Sequence, residues 1–145
     1  MFQTVLVGAD DSETARQAVK VAAEIAGIHG GQLHVVTAFE AKQVSMSGVP
    51  AEFRNNAGAD FGPADALLAD LTAMIKQFGL EPVVHAAKGD PEDAIVRVAE
   101  REGADLIVVG NKGMKGRRRL LGSVPNSVAH NAPCSVLIVD TEASS

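Results

Sequence analysis

Five short runs rich in Val, Leu and Ile recur along this 145-residue chain, and most are followed by a segment with helical spacing. They are TVLVGA (Thr4–Ala9), QLHVVTAF (Gln32–Phe39), EPVVHAA (Glu81–Ala87), ADLIVVG (Ala104–Gly110) and CSVLIVD (Cys134–Asp140). Gly, Pro, Asp or Asn bound them. Several are apolar without alternation, the pattern of strands covered on both faces.

The intervening segments carry helical stripes. Ala15, Ala18, Val19, Ala22 and Ala26 predict a first helix, capped by Asp11 or Ser12 and stopping near Gly27. Leu67, Leu68, Leu71, Met74, Ile75 and Phe78 predict a second, with Pro63 near its first position and Gly79 past its end. Ala94, Ile95, Val98 and Ala99 predict a third, with Asp90 as N-cap, Pro91 at the first position and Gly103 as the stop. A weaker fourth begins near Ser123 and carries Val124 and Val128, with Pro125 in its first turn where a missing N–H is harmless.

Alternation of this kind implies an α/β fold: one doubly wound domain over residues 1–145, with a parallel sheet, helices on both faces and right-handed crossovers. Residues 41–62 show no sustained period beyond a short helical option at Ala51–Asn55. They are expected to form a surface excursion or a lid beside a ligand site.

Composition narrows the class. An apolar fraction of 46% and a charged fraction of 21% suit a globular protein. No run reaches the roughly 18 apolar residues that would span a bilayer, and Met1-Phe2-Gln3 leads into TVLVGAD without a basic leader. A lone cysteine, Cys134, allows no internal disulfide, so a reducing, cytoplasmic setting is expected. Net charge is −5, yet Lys112, Lys115, Arg117, Arg118 and Arg119 cluster in one stretch. Five charges without interleaved aromatics are too few for a nucleic-acid face, so neither nucleic acid nor membrane is an expected partner.

Ligands of open parallel sheets bind beyond the carboxyl ends of the strands, where the winding direction reverses. Two strand ends are prepared for that: Gly8-Ala9-Asp10-Asp11-Ser12 after the first run, and Gly110 after the fourth. Gly110, Gly113 and Gly116, spaced by three, let backbone approach an anion closely. Gly122-Ser123 then opens a helix whose first N–H groups and dipole favour negative charge. Neither G-x-x-x-x-G-K-[ST] nor G-x-G-x-x-G is present. Asp10 is expected to touch a ligand and Asp11 to cap the first helix. His29, His34, His85 and His130 have no metal-ligand spacing and are expected to be structural, and Cys134 to pack as a small apolar residue. No catalytic constellation stands out.

Gly110-x2-Gly113, the following Gly122-Ser123, the stretch VPNSVAHNAPCSVLIV, and the opening VLVGADDSETARQAV together resemble the universal stress protein family, in its ATP-binding branch. KGDPEDAIVRVAEREGADLIVVG matches as well, so the resemblance covers nearly everything except the 41–62 segment. It implies a Rossmann-like, adenine nucleotide alpha hydrolase-like domain, with five parallel strands in the order 3-2-1-4-5. It also implies a regulatory stress-response protein that binds ATP, with Mg²⁺ accompanying the triphosphate. Gly8, Ala9 and Asp10 would border the nucleoside, and Ala38 would offer backbone to the adenine edge. Val109 and Gly110 would follow the ribose. Gly113, Gly122, Ser123 and Val124 would hold phosphate. The family spacing G-x2-G-x9-G-[ST] is shortened here, because eight residues separate Gly113 from Gly122.

The last apolar run would lie at a sheet edge, which needs cover. A homodimer through Ser135–Val139 is therefore expected, as the family also implies. Three alternatives stay open: a slow ATP hydrolase or phosphoryl- or adenylyl-transfer enzyme using Lys112, Lys115 or Asp10; a nucleotide-free interaction module; and a binder of AMP or cyclic AMP.

Overall fold

A computed structural model describes residues 1–10, 12–39, 62–111 and 123–140. The elements alternate as β1 (Thr4–Gly8), α1 (Glu13–His29), β2 (Gln32–Phe39), α2 (Gly62–Lys76), β3 (Val83–Lys88), α3 (Pro91–Glu102), β4 (Leu106–Gly110), α4 (Ser123–Asn131) and β5 (Ser135–Val139). The strands form one parallel sheet in the order β3-β2-β1-β4-β5, as expected. The first two connections carry the chain outward on one side of β1. The next carries it back across β1 to β4, which places the winding reversal between β1 and β4.

Both faces of the central strands are covered. Val5, Val7, Leu33, Val35 and Val108 pack against Val19 and Ala22 of α1 and Leu71 and Ile75 of α2. Leu6, Val36, Ile107 and Val109 face the other way, against Ile95 and Val98 of α3 and Val128 of α4. Successive strand residues point to opposite faces, so a strand buried on both sides must be apolar at every position. That is why β1 and β4 read as continuous runs. At the edge, β3 is half-covered and alternates along Val83–Lys88.

Helix α1 starts at Ser12, whose Oγ accepts from the Ala15 N–H at 3.1 Å. Asp11, the other candidate cap, lies outside the described residues. The helix stops near Gly27, as expected, but not at it. Gly27 is helical and meets nothing that would object to a side chain, and the helix runs to His29. Gly30 ends it, with φ 64, because its left-handed backbone returns N–H groups to the carbonyls of Ala26 and Gly27. Phe78 does not belong to the second stripe: α2 ends at Lys76, and Phe78 is 41% exposed in the turn beyond. In α3 the Asp90 cap, Pro91 and Gly103 fall where expected, although the Asp90 side chain makes no cap hydrogen bond. The run at Glu81 begins its strand at Val83, and the run at Ala104 begins at Leu106. The short helix considered at Ala51–Asn55 and residues 41–61 fall outside the described residues; Gly62 is the first residue of α2.

Candidate functional site

Strands β1 and β4 stay paired up to Val7 and Val108, and a crevice of about 420 Å³ opens beyond their carboxyl ends. That volume falls in the range of small-molecule sites. Gly8, Ala9 and Asp10 form one wall, Ala38 a second, and Val109 and Gly110 a third, while Val124 closes the side from α4. Seven of the ten residues singled out in the sequence therefore meet at one place. Ser123 opens α4 beside them. Gly113 and Gly122 lie outside the described residues, as do Lys112, Lys115 and Arg117–Arg119.

The polar equipment of the crevice follows from how the sheet ends. In a parallel pair, one residue sends both N–H and C=O to the same neighbour, and the next residue sends its pair the other way. The Ala9 N–H donates to the Val36 carbonyl at 2.9 Å, so Val36 faces β1; the Gly89 N–H donates to the Phe39 carbonyl at 2.9 Å, so Phe39 faces β3. By the same alternation, Ala38 turns both backbone groups toward β1. The β1–β2 register ends at Gly8 opposite Val36, so β1 has left before it reaches Ala38. A donor and an acceptor thus stand side by side at the mouth of an apolar slot.

Asp10 sits at the rim, its Oδ1 accepting from the Ser12 N–H at 3.0 Å. Ser12 Oγ and Thr14 Oγ1 lie 2.9 Å apart on the same wall. The floor is Ile95, from the inner stripe of α3, and Gly8 is fitted to it. A Cβ on Gly8 would stand 2.4 Å from Ile95 Cδ1. Pro91, one turn before Ile95, lines the same crevice. Ser12, part of the strand end expected to face a ligand, lines the crevice too, whereas sequence reasoning missed Thr14, Ala15, Val36, Pro91, Ile95 and Pro125. A usable signal was present for Pro91 and Ile95, since the start of α3 must lie beyond the end of β3, on the same side of the sheet as the other strand ends.

Among the described residues, no cluster of three or more His, Cys, Asp or Glu could hold a metal ion. No helix among them is long and apolar enough to cross a membrane. Cys134 is half-buried against the α3–α4 face, and burial pushes its thiol up, away from the reactive thiolate. The histidines are less plain than expected: His34 is buried and pairs with His85 across β2 and β3.

A doubly wound parallel sheet with an apolar crevice at its winding reversal defines the class of open α/β domains. More narrowly, the chain belongs to the Universal stress protein family, whose family model matches residues 1–140. It is 34% identical over 158 residues to universal stress protein Rv1636 of Mycobacterium tuberculosis strain H37Rv, covering 97% of each chain. The crystal structure of that protein is similar with a TM-score of 0.60 and 36% identity, covering 97% of this chain and 96% of the other. A universal stress protein crystallised in complex with cAMP is similar with a TM-score of 0.75 and 35% identity, over 97% of this chain and 98% of that one.

Proposed function

We propose that this chain is a regulatory protein that binds an adenine nucleotide in the crevice between β1 and β4 and acts as a homodimer joined along β5. The observation that carries the reading is the backbone pair of Ala38 at the mouth of the crevice. The Watson–Crick edge of adenine offers an amino donor beside a ring-nitrogen acceptor, which complements a carbonyl beside an N–H. Gly8, Ala9 and Asp10 border the nucleoside, and Val109 and Gly110 follow the ribose. Gly113, Gly122, Ser123 and Val124 are assigned to phosphate, on the strength of the family spacing in the sequence.

ATP, accompanied by Mg²⁺, is the ligand that this glycine pattern favours. A cyclic AMP reading has its own support, in the relative crystallised with cAMP and in the eight residues that separate Gly113 from Gly122. A cytoplasmic setting goes with either ligand and rests on the lone Cys134.

Titration calorimetry of the full chain with ATP and Mg²⁺, with AMP and with cAMP tests the reading. Saturable heat with at least one of them is expected, and the order of affinities decides between the triphosphate and the cyclic monophosphate. Absence of heat with all three, with no nucleotide released from the purified protein on denaturation, overturns it.

A further inference from the structure

The sheet has two edges, and β3 forms the one opposite β5. The Gly89 N–H donates to the Phe39 carbonyl, so Gly89 faces β2. By the alternation of a parallel pair, Val83, His85 and Ala87 face β2 as well, while Val84, Ala86 and Lys88 turn their backbone groups outward. Such a row is a template on which another strand adds. Val84, 41% exposed, and Ala86, also exposed, set apolar side chains along it. Both ends of the row are nevertheless closed. Pro82, directly before the strand, has no N–H to offer. At the other end Arg97 of α3 reaches the edge, and its Nη2 donates to the Lys88 carbonyl at 2.7 Å. That carbonyl faces outward, so the bond takes an acceptor that an added strand would use. It also fixes a guanidinium charge beside the ammonium of Lys88, and charge on an edge opposes pairing. Core packing does not call for Arg97: Ala94, Ile95, Val98 and Ala99 carry the buried stripe of α3, and Arg97 is exposed.

We propose that Arg97 keeps β3 from pairing with a second copy of this chain, so that assembly through the sheet stops at this edge. A homodimer joined along β5 would carry a β3 edge at each outer end. Two different two-fold pairings, one at β5 and one at β3, would then alternate along a filament without closing. Closing β3 within each chain keeps the assembly finite. This role of Arg97 is independent of what the crevice binds and of whether β5 joins two copies.

Sedimentation of the full chain at concentrations up to about 100 µM tests this, since pairing at a freed edge grows by mass action. Alanine suits a helix best, so Arg97→Ala leaves α3 in place while freeing the Lys88 carbonyl. At the top of the range Arg97→Ala is expected to show an average mass at least about twofold above that of the unaltered chain. Adding Ala86→Pro should return the mass to the unaltered value, because proline there removes an outward N–H without touching the ladder to β2. Adding Val84→Lys instead, which sets a charge on the same row, should lower it likewise. If Arg97→Ala keeps the mass of the unaltered chain throughout, the guanidinium is not what leaves this edge unpaired and the proposal falls. It falls equally if the mass rises and neither second change lowers it, since growth then runs through another surface. An unaltered chain that itself grows with concentration, and stops growing on Ala86→Pro, would show the edge to be open already and overturn the proposal as well.

Discussion

His34 and His85 lie ring beside ring across β2 and β3, their centroids 5.2 Å apart, their planes 11° from parallel, and Nδ1 of His34 2.9 Å from Nε2 of His85. The partners at each end set the direction of the hydrogen bonds. Gln32 Oε1 accepts from His34 Nε2 at 3.0 Å, which leaves His34 Nδ1 to accept from His85 Nε2. Arg101 Nη2 then donates to His85 Nδ1 at 3.3 Å. The relay works only with both rings neutral, because a proton added to either ring sets N–H against N–H.

Acid should therefore loosen this edge of the sheet. Burial lowers the pKa of His34 below its ordinary 6.5, against an opposing pull from Glu102. Burial does the same for His85, helped by His34 and Arg101 and opposed by Glu102. The unfolded chain then binds protons that the folded one refuses, so stability is full above pH 6.5 and declines as pH falls from there to the lowered folded-state values. Thermal melting followed by circular dichroism from about pH 7.5 to about pH 5 is expected to show that decline, and His34→Gln with His85→Gln to flatten it. An unchanged slope in the double variant would assign the acid sensitivity to other groups.

Gly8 and Ile95 make the second prediction. Gly8→Ala would press a methyl onto Ile95 Cδ1 at 2.4 Å and Cγ1 at 3.0 Å, so the floor of the crevice must give. A loss of about 1–3 kcal/mol of stability, typical of overpacking, is expected in denaturant titration. Ile95→Val deletes Cδ1, and combined with Gly8→Ala it should recover more than additivity allows. Strictly additive losses would mean that the two residues do not compete for one space.

The Ala38 backbone pair predicts a preference among bases. Hypoxanthine carries a ring N–H and a carbonyl where adenine carries an acceptor and an amino group, so it sets donor against donor and acceptor against acceptor. Inosine nucleotides are expected to bind about tenfold or more weakly than their adenine counterparts, since a site built to hydrogen-bond one pattern rejects its inverse strongly. Calorimetry with matched phosphates checks this, and equal affinities would remove Ala38 from recognition of the base.

What the sequence revealed depended on how local the determining physics is. The order of elements was legible because the period of two and the period of 3.6 are properties of neighbours along the chain. Strand β2 was read residue for residue at Gln32–Phe39. Helix α1 runs two residues past Gly27, and the left-handed backbone at Gly30 marks the stop. The meeting of Gly8, Ala38, Val109 and Val124 followed from topology, since every parallel strand ends on the same side. The His34–His85 pair was invisible. It depends on β2 and β3 pairing with Val36 opposite His85, a register between strands 51 residues apart in sequence at the two rings, which no local pattern encodes. The bond from Asn111 to Asp140 was invisible for the same reason, because the two lie 29 residues apart.

Strand β5 supplies the last prediction. It lies at the sheet edge beside β4 alone, and Val136, Leu137, Ile138 and Val139 are each partly exposed. The Asn111 N–H donates to the Val139 carbonyl, so Val139 faces β4. By alternation Ser135 and Leu137 face β4 too, while Val136 and Ile138 turn their backbone groups outward. A second copy added along this edge would bond to those two residues. Ile138→Pro removes an outward N–H without touching the ladder to β4, the one kind of strand position where proline is tolerated. If the homodimer forms through β5, the unaltered chain sediments as a dimer at about 10 µM and the variant as a folded monomer, because the dimer is held by mass action against the lost pairing. A variant that stays dimeric, with melting unchanged, would move the interface away from this strand.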